Sequence, residues 1–213
     1  MSAQHESDRR LCVNGRLLGP GLPVYVIAEV SANHNQDFDQ AAQLVRTAKE
    51  VGADAVKLQT YTADTLTINS ERPEFRIRNG TIWDGRTLHG LYREAYTPWD
   101  WQPKLKQIAD DIGIDLFSTP FDSTAVEFLE EMDVPAYKVA SFELVDLPLI
   151  ETIARKGKPM IMSTGMATLG EIEEAVATAR RAGADQIALL KCTSACPAPA
   201  DANLRSNSTT SNP

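Results

Sequence analysis

Lys57 and Lys138 each stand inside an otherwise apolar run, VKLQT and YKVAS. An ammonium buried without a partner is too costly to persist, so each must reach solvent, a carboxylate or a bound anion. Glu29, in IAEV, is a carboxylate that could pair with one of them. It could equally serve as an acid, a base or a stabiliser of developing charge. Polar groups also close comparable runs: Gln59, Thr119, Ser141, Glu143, Ser163 and Ser194. Two lysines among serine and threonine hydroxyls suit a phosphate or carboxylate cradle. Asn33-His34-Asn35 follows the first run, where a lone loop histidine reads more readily as an exposed polar residue than as a ligand. Ser163-Thr164-Gly165-Met166 leads towards a helix start, a geometry that suits phosphate oxygens. The chain holds no P-loop, no G-x-G-x-x-G fingerprint and no G-x-S-x-G elbow.

These residues share a position in a repeated design. Six runs, VYVIAEVSANHN, DAVKLQT, DLFSTPF, AYKVASFE, PMIMSTGM and QIALLKCTS, are apolar and then abruptly polar. That pattern describes parallel strands buried on both faces and open at their carboxyl ends, where α/β proteins bind ligands. Six such strands would bring the polar residues onto one rim. Helical periodicity fills the gaps. DFDQAAQLVRTAKEVGAD runs from a capping Asp to Gly52, and TLGEIEEAVATARRAGAD from a capping Thr to Gly183. Further helices are expected at about 98–112, 122–132 and 146–156. The echo of VGAD-AVKLQT in AGAD-QIALLKCT is a weak internal repeat of the helix-to-strand turn. Residues 11–22 carry an Asn-Gly turn between short apolar pieces and predict a hairpin. Residues 61–97 interrupt the rhythm with a long polar and aromatic insertion, whose Trp83, Leu88, Leu91 and Tyr92 predict an ordered flap.

Composition bounds the function. A chain of 213 residues with a formal charge of -8 argues against sequence-independent nucleic-acid binding. A local cluster of lysines can still attract a small anion inside an acidic shell. Cys12, Cys192 and Cys196 do not form a disulfide framework or a zinc pattern, and a reducing cytoplasm is the expected setting. The polar start MSAQHESDRR lacks the apolar core of a signal peptide, and no apolar run is long enough to span a bilayer.

The ordered set IAEVSANHN, VKLQTY, FSTPFD, AYKVASFEL, KPMIMSTGMA and LLKCTSACPAP resembles the catalytic barrel of the sialic acid synthase family over roughly residues 11–205. The insertion TIWDGRTLHGLYREAYTPWDW looks most like its pseudaminic acid synthase branch. The resemblance implies a TIM-type (β/α)8 barrel, here incomplete at about six of eight β/α units, behind a short N-terminal hairpin. It implies a partial synthase domain over 11–196, while the residues themselves read as a disordered lead over 1–10 and a polar, disordered tail over 197–213. The implied reaction condenses phosphoenolpyruvate with an N-acyl hexosamine, of the 2,4-diacetamido-trideoxy type in that branch, giving a nine-carbon 2-keto sugar acid and phosphate. Glu29, Lys57 and Lys138 would be catalytic. Lys57, Thr119, Lys138, Ser141 and Ser163 would hold phosphoenolpyruvate, Gln59 and Glu143 would face the sugar, and Ser194 would complete the substrate-binding rim. A divalent metal, manganese or magnesium, and a homodimer belong to the full-length family.

Departures from the family pattern carry expectations of their own. Cys196 stands where the family has a sugar-contacting Tyr. The two metal-binding histidines, strands seven and eight and the small antifreeze-like C-terminal domain fall in sequence this chain does not contain, so no metal ligand is assigned. The chain reads as a truncated synthase, poorly soluble through its open strand edges and inactive alone. Other readings are an N-acetylneuraminate or legionaminic acid synthase, a non-catalytic phosphoenolpyruvate-binding remnant, and a Schiff-base aldolase using Lys57 or Lys138.

Overall fold

The computed structural model describes residues 10–78, 80 and 83–192. The lead over 1–9, the tail over 197–213, Ser194 and Cys196 lie outside the described residues, so the expectations placed on them go no further here.

Positive φ at both Asn14 (47°) and Gly15 (80°) makes the two-residue turn that right-twisted strands require. It joins β1 (Leu11–Val13) to β2 (Arg16–Leu18) as the expected antiparallel hairpin. Six strands follow: β3 (Ile27–Glu29), β4 (Ala55–Thr60), β5 (Asp115–Pro120), β6 (Tyr137–Val139), β7 (Met160–Ser163) and β8 (Ile187–Leu190). They pair in parallel, in sequence order from β3 to β8. A sheet that grows one neighbour at a time, with helical crossovers, is the wall of a (β/α) barrel rather than a doubly wound sheet. The incomplete barrel is therefore what forms.

Helices α1 (Phe38–Glu50), α4 (Gln102–Ile112), α5 (Ser123–Glu131), α6 (Leu147–Ala154) and α7 (Leu169–Arg181) are the main crossovers. The Asp37 carboxylate caps α1 by accepting from the Gln40 N–H at 3.1 Å, and the chain leaves the helix through Gly52 at φ 90°. Alternation along β4 divides the two faces of the wall. Val56 and Leu58 are fully buried with Val45 of α1 and with Leu105 and Ala109 of α4. Lys57 and Gln59, one residue out of phase, take the opposite face. On β5 the outward Ser118 hydroxyl meets the Thr60 hydroxyl at 2.7 Å, and Thr60 donates to Gln102 of α4 at 2.7 Å, so those polar groups are satisfied in the layer.

The insertion at 61–97 is ordered, as its aromatic content predicted. It holds α2 (Ala63–Leu66), a 3-10 turn at Pro73–Phe75, a bridge between Arg76 and Thr87, and α3 (Leu88–Ala95).

The hairpin closes the amino-terminal end of the wall. Asn14 Nδ2 and the Tyr25 hydroxyl donate to the Asp115 carboxylate at 2.8 and 2.5 Å, Arg16 pairs with Asp54, and the Cys12 N–H donates to Gln186 Oε1 at 2.6 Å. Asp54, Asp115 and Gln186 stand at or just before the starts of β4, β5 and β8. Val13 packs fully buried in the same cluster as Ala55 and Phe117. The floor is thus apolar at its centre and ion-paired at its rim, which leaves the carboxyl ends as the open face.

The Ser163–Met166 stretch leads through Ala167 to the expected capping Thr168. Helix α7 starts at Leu169, and Thr168 and Glu171 form a reciprocal capping box there (Thr168 N–H to Glu171 Oε2, 2.7 Å). Those side chains occupy the amides of Thr168 and Glu171. The two edges of the sheet are open as expected, with Val26 beside β3 and Leu189 on β8 about half exposed, at 50% and 48%.

Candidate active site

The parallel register sets Glu29 of β3 opposite Lys57 of β4, and Gln59 of β4 opposite Thr119 of β5. Those four side chains therefore share one stretch of the carboxyl rim. Lys57 forms an ion pair with Glu29 and donates towards Thr119 Oγ1 at 3.5 Å. Glu29 is also held by the Ser31 N–H at 3.1 Å, while the Ser31 hydroxyl donates to Gln59 Oε1 at 3.1 Å. Ser31 takes a left-handed φ of 46°, which folds the loop back over the strand end. Sequence reasoning missed Ser31. Its signal was its place two residues after Glu29 in the first polar cluster.

Lys138 is handled differently. It is 7% exposed, and it donates to Ser163 Oγ and to its neighbour's carbonyl, Val139 O, at 2.6 Å. Among the described residues no carboxylate pairs with it. Burial, reinforced by the charge of Lys57, pushes its ammonium down to about 8, and the fields of Cys192, Glu29 and Glu143 oppose that only in part. Of the two lysines, one has a carboxylate partner and the other has two neutral oxygens and an unspent positive charge. Cys192, read from the sequence only as a non-zinc cysteine, lies on the same spot: its thiol donates to Ser163 Oγ at 3.1 Å.

Gln59 and Glu143 line a pocket of about 380 Å³ with Tyr61, Leu66, Tyr92, Phe121 and Phe142. Burial raises the Glu143 carboxyl, and its Oε2 is buried with no hydrogen-bond partner. Ser141 is separated from this pocket. It lines a different hollow, with Phe142, Val145 and Met166. The structure thus gathers Glu29, Lys57, Gln59 and Thr119 in one cluster and Lys138 and Ser163 in another, with Gln59 and Glu143 lining one pocket. Among the described residues no group of three or more His, Cys, Asp or Glu side chains is placed to hold a metal ion. The described residues therefore offer no such donor set for the divalent ion that the resemblance implies.

His34 corrects the expectation of an exposed loop residue, because it is fully buried. Its Nδ1 accepts from the Gln36 N–H at 3.1 Å, which leaves Nε2 as the donor to Thr97 Oγ1 at 3.1 Å, and Trp101 packs edge-on against the ring. Gln36 in turn donates to the carbonyls of Glu94 and Tyr96 at 2.9 and 2.6 Å. The loop after β3 is thereby tied to the end of the insertion and to helix α3. Burial lowers the His34 pKa, so the imidazole stays neutral in the fold. The unfolded chain then binds the extra proton below about pH 6.5. Stability should be full above that pH and fall as pH drops towards the lower folded value. Urea titrations at pH 7.5 and 5 should show the loss in the wild type. His34→Ala should cost about 2 kcal/mol at neutral pH and show a smaller loss on acidification.

A wall of parallel strands with a cationic, hydroxyl-rich rim at its carboxyl ends defines a (β/α)-barrel protein of the kind that holds small substrates above the strands. More particularly, the chain belongs to the NeuB family, whose pattern matches residues 44–211. It is 48% identical over 185 residues to the pseudaminic acid synthase of Helicobacter pylori, covering 86% of this chain and 54% of that one. It is 35% identical over 197 residues to the N,N'-diacetyllegionaminic acid synthase of Legionella pneumophila, covering 90% and 55%. The crystal structure of the N-acetylneuraminic acid synthetase from Leptospira borgpetersenii superposes with a TM-score of 0.80 at 28% identity, covering 94% of this chain and 65% of that one. The chain spans about half the length of the curated relatives it matches.

Proposed function

We propose that this chain carries the phosphoenolpyruvate site of a nonulosonic acid synthase of the pseudaminic type. The observation that carries the reading is the unpaired, buried ammonium of Lys138, held by Ser163 in a cluster whose second lysine is already neutralised by Glu29. A site with surplus positive charge, hydroxyls and little water favours an anion. Lys138 and Ser163 would hold the phosphate or carboxylate of phosphoenolpyruvate from one side, with Lys57 and Thr119 on the other. Ser141 would take part only if its loop turned inward, away from the hollow it lines now. Glu29 would lie beside the reacting carbons, and Gln59 and Glu143 would face the sugar. The proposed domain is the partial barrel of residues 11–196.

In the proposed reaction the methylene carbon of phosphoenolpyruvate forms a carbon–carbon bond to the open-chain aldehyde of the sugar, whose oxygen takes a proton. Positive charge develops on the adjacent carbon and is stabilised by Glu29. Water adds there, and the carbon–oxygen bond to phosphate breaks, giving the 2-keto acid and free phosphate. The higher identity to the pseudaminic synthase (48%) than to the legionaminic one (35%) favours the altrose-type 2,4-diacetamido-trideoxy hexose as acceptor.

Calorimetric titration with phosphoenolpyruvate, followed by phosphate release on adding that hexose or N-acetylmannosamine, tests the reading. Saturable binding of phosphoenolpyruvate is the expected result, and its absence overturns the proposal. The missing metal-ligand set among the described residues favours a second reading, a phosphoenolpyruvate-binding barrel without turnover. Binding with no phosphate release in the presence of manganese would support it.

A further inference from the structure

The hydrogen bonds at Lys138 fit two protonation states differently. A neutral amine carries two N–H groups and one lone pair, an ammonium three N–H groups and no lone pair. The structure gives Nζ two acceptors, Ser163 Oγ and Val139 O. In the neutral form both N–H groups are satisfied and the lone pair is left over. In the ammonium a third N–H is left over, and that is the group an anion would take. Lys138 is 7% exposed and Ser163 5%, so water does little to favour the charged form.

The surroundings add to this. Burial is reinforced by the like charge of Lys57, two strands away in the sheet. Desolvation and a neighbouring cation are the two features that make a lysine an amine nucleophile near neutral pH. Ser118 of β5 lies opposite Tyr137 of β6, which sets the next residues, Thr119 and Lys138, side by side. Lys57 approaches Thr119 Oγ1 from the other flank, at 3.5 Å. Ser163 completes the set. Its oxygen accepts from Lys138 and, at 3.1 Å, from the Cys192 thiol, which leaves its own O–H to donate.

We infer that Lys138 is an imine-forming amine that captures the ketone of a small 2-keto acid, with Ser163 as proton donor and Thr119 and Lys57 beside the carboxylate. The nitrogen lone pair attacks the keto carbon, and one proton passes from nitrogen to oxygen to give a carbinolamine. A second proton, donated by Ser163 and restored to it from solvent, carries that oxygen off as water while the C=N bond forms. Counted from the ammonium, one C=O bond breaks, one C=N bond forms, one water leaves and the single positive charge is kept. No oxidant or reductant takes part. The inference stands on Lys138 and its neighbours and does not rest on the synthase reading. Phosphoenolpyruvate has no ketone and cannot form the imine, but as an anion it would compete for the same nitrogen.

Cyanoborohydride added to the full chain with pyruvate should reduce the imine to a stable secondary amine, and peptide mass mapping should place the added group on Lys138. The labelling rate should rise with pH up to about 8 and then level, whereas an exposed lysine keeps gaining towards about pH 10.4. Ser163→Ala should label about 100-fold more slowly, the size of one general acid, with a thermal melt reporting that the barrel is intact. Label confined to exposed lysines such as Lys104 overturns the inference, as does labelling of Lys138 that only keeps pace with Lys104 at every pH. An unchanged rate in folded Ser163→Ala overturns the role given to Ser163. Strong labelling of Lys138 that phosphoenolpyruvate does not suppress would sink the anion reading alone.

Discussion

Lys138→Met is expected to bind phosphoenolpyruvate about 100-fold more weakly than the wild type and yet to unfold at a higher temperature. Both effects follow from the same atom. In the free protein the Lys138 ammonium is buried against two neutral oxygens, Ser163 Oγ and Val139 O. Its positive charge is satisfied by hydrogen bonds but not by an opposite charge. A methionine of similar length keeps the packing and removes the desolvation cost. In the complex that ammonium faces the anion at low dielectric, where losing one partner of a buried charge pair costs about 2–5 kcal/mol. The pH dependence has a definite sign. With the ammonium pushed down to about 8, affinity should be flat below that pH and fall as pH rises, by up to about tenfold per unit. The variant should show no such fall. A Lys138→Met chain that binds phosphoenolpyruvate normally would remove the anion site from this rim. One that melts earlier than the wild type would show that the ammonium is already paired in the free protein.

Tyr137→Ala should destabilise the barrel wall by about 3–5 kcal/mol. Tyr137 is fully buried among the largest core side chains, and it sits on β6, a strand of three residues that joins two halves of the sheet. Its pairing to β5 runs through one register position, Ser118 to Tyr137, while its pairing to β7 runs through three. With so thin a backbone seam, the ring supplies much of the cohesion. The Tyr137 hydroxyl donates to Glu130 Oε2 at 2.8 Å, which ties β6 to α5. Tyr137→Phe should cost only about 1 kcal/mol, because Glu130 lies near enough to solvent to be hydrated instead. Guanidinium unfolding of the two variants separates ring from hydroxyl. Because a domain of this size holds roughly 5–15 kcal/mol in total, the alanine variant should lose a large share of its stability and unfold at a clearly lower guanidinium concentration.

The six strands and their common polar end were readable because strands buried on two faces announce themselves as short apolar runs that stop at a polar cluster. The Lys57–Glu29 pair was one of the options the residue types allowed, and the register made it real. What stayed hidden depends on how the insertion folds back. The burial of His34 is set by Thr97 and Trp101, more than sixty residues away, and no local pattern encodes that. The pocket wall of Tyr61, Tyr92 and Phe121 likewise joins three separate segments. The helix start at Thr168 was readable because a capping threonine ahead of a run with helical spacing is a local signal.

The hairpin that floors the barrel has a consequence for how the chain acquires its structure. Its hydrogen bonds reach across 101 residues, from Asn14 to Asp115, and across 174 residues, from Cys12 to Gln186. During synthesis the hairpin leaves the ribosome well before Asp115 and long before Gln186, at a rate of about 5–20 residues per second. It must therefore wait many seconds with Val13 and Leu11 uncovered, and it can be secured only when the last of its partners emerges. Contacts of such separation close late and slow the final step of folding. A hairpin made before its partners is fastened only once they arrive.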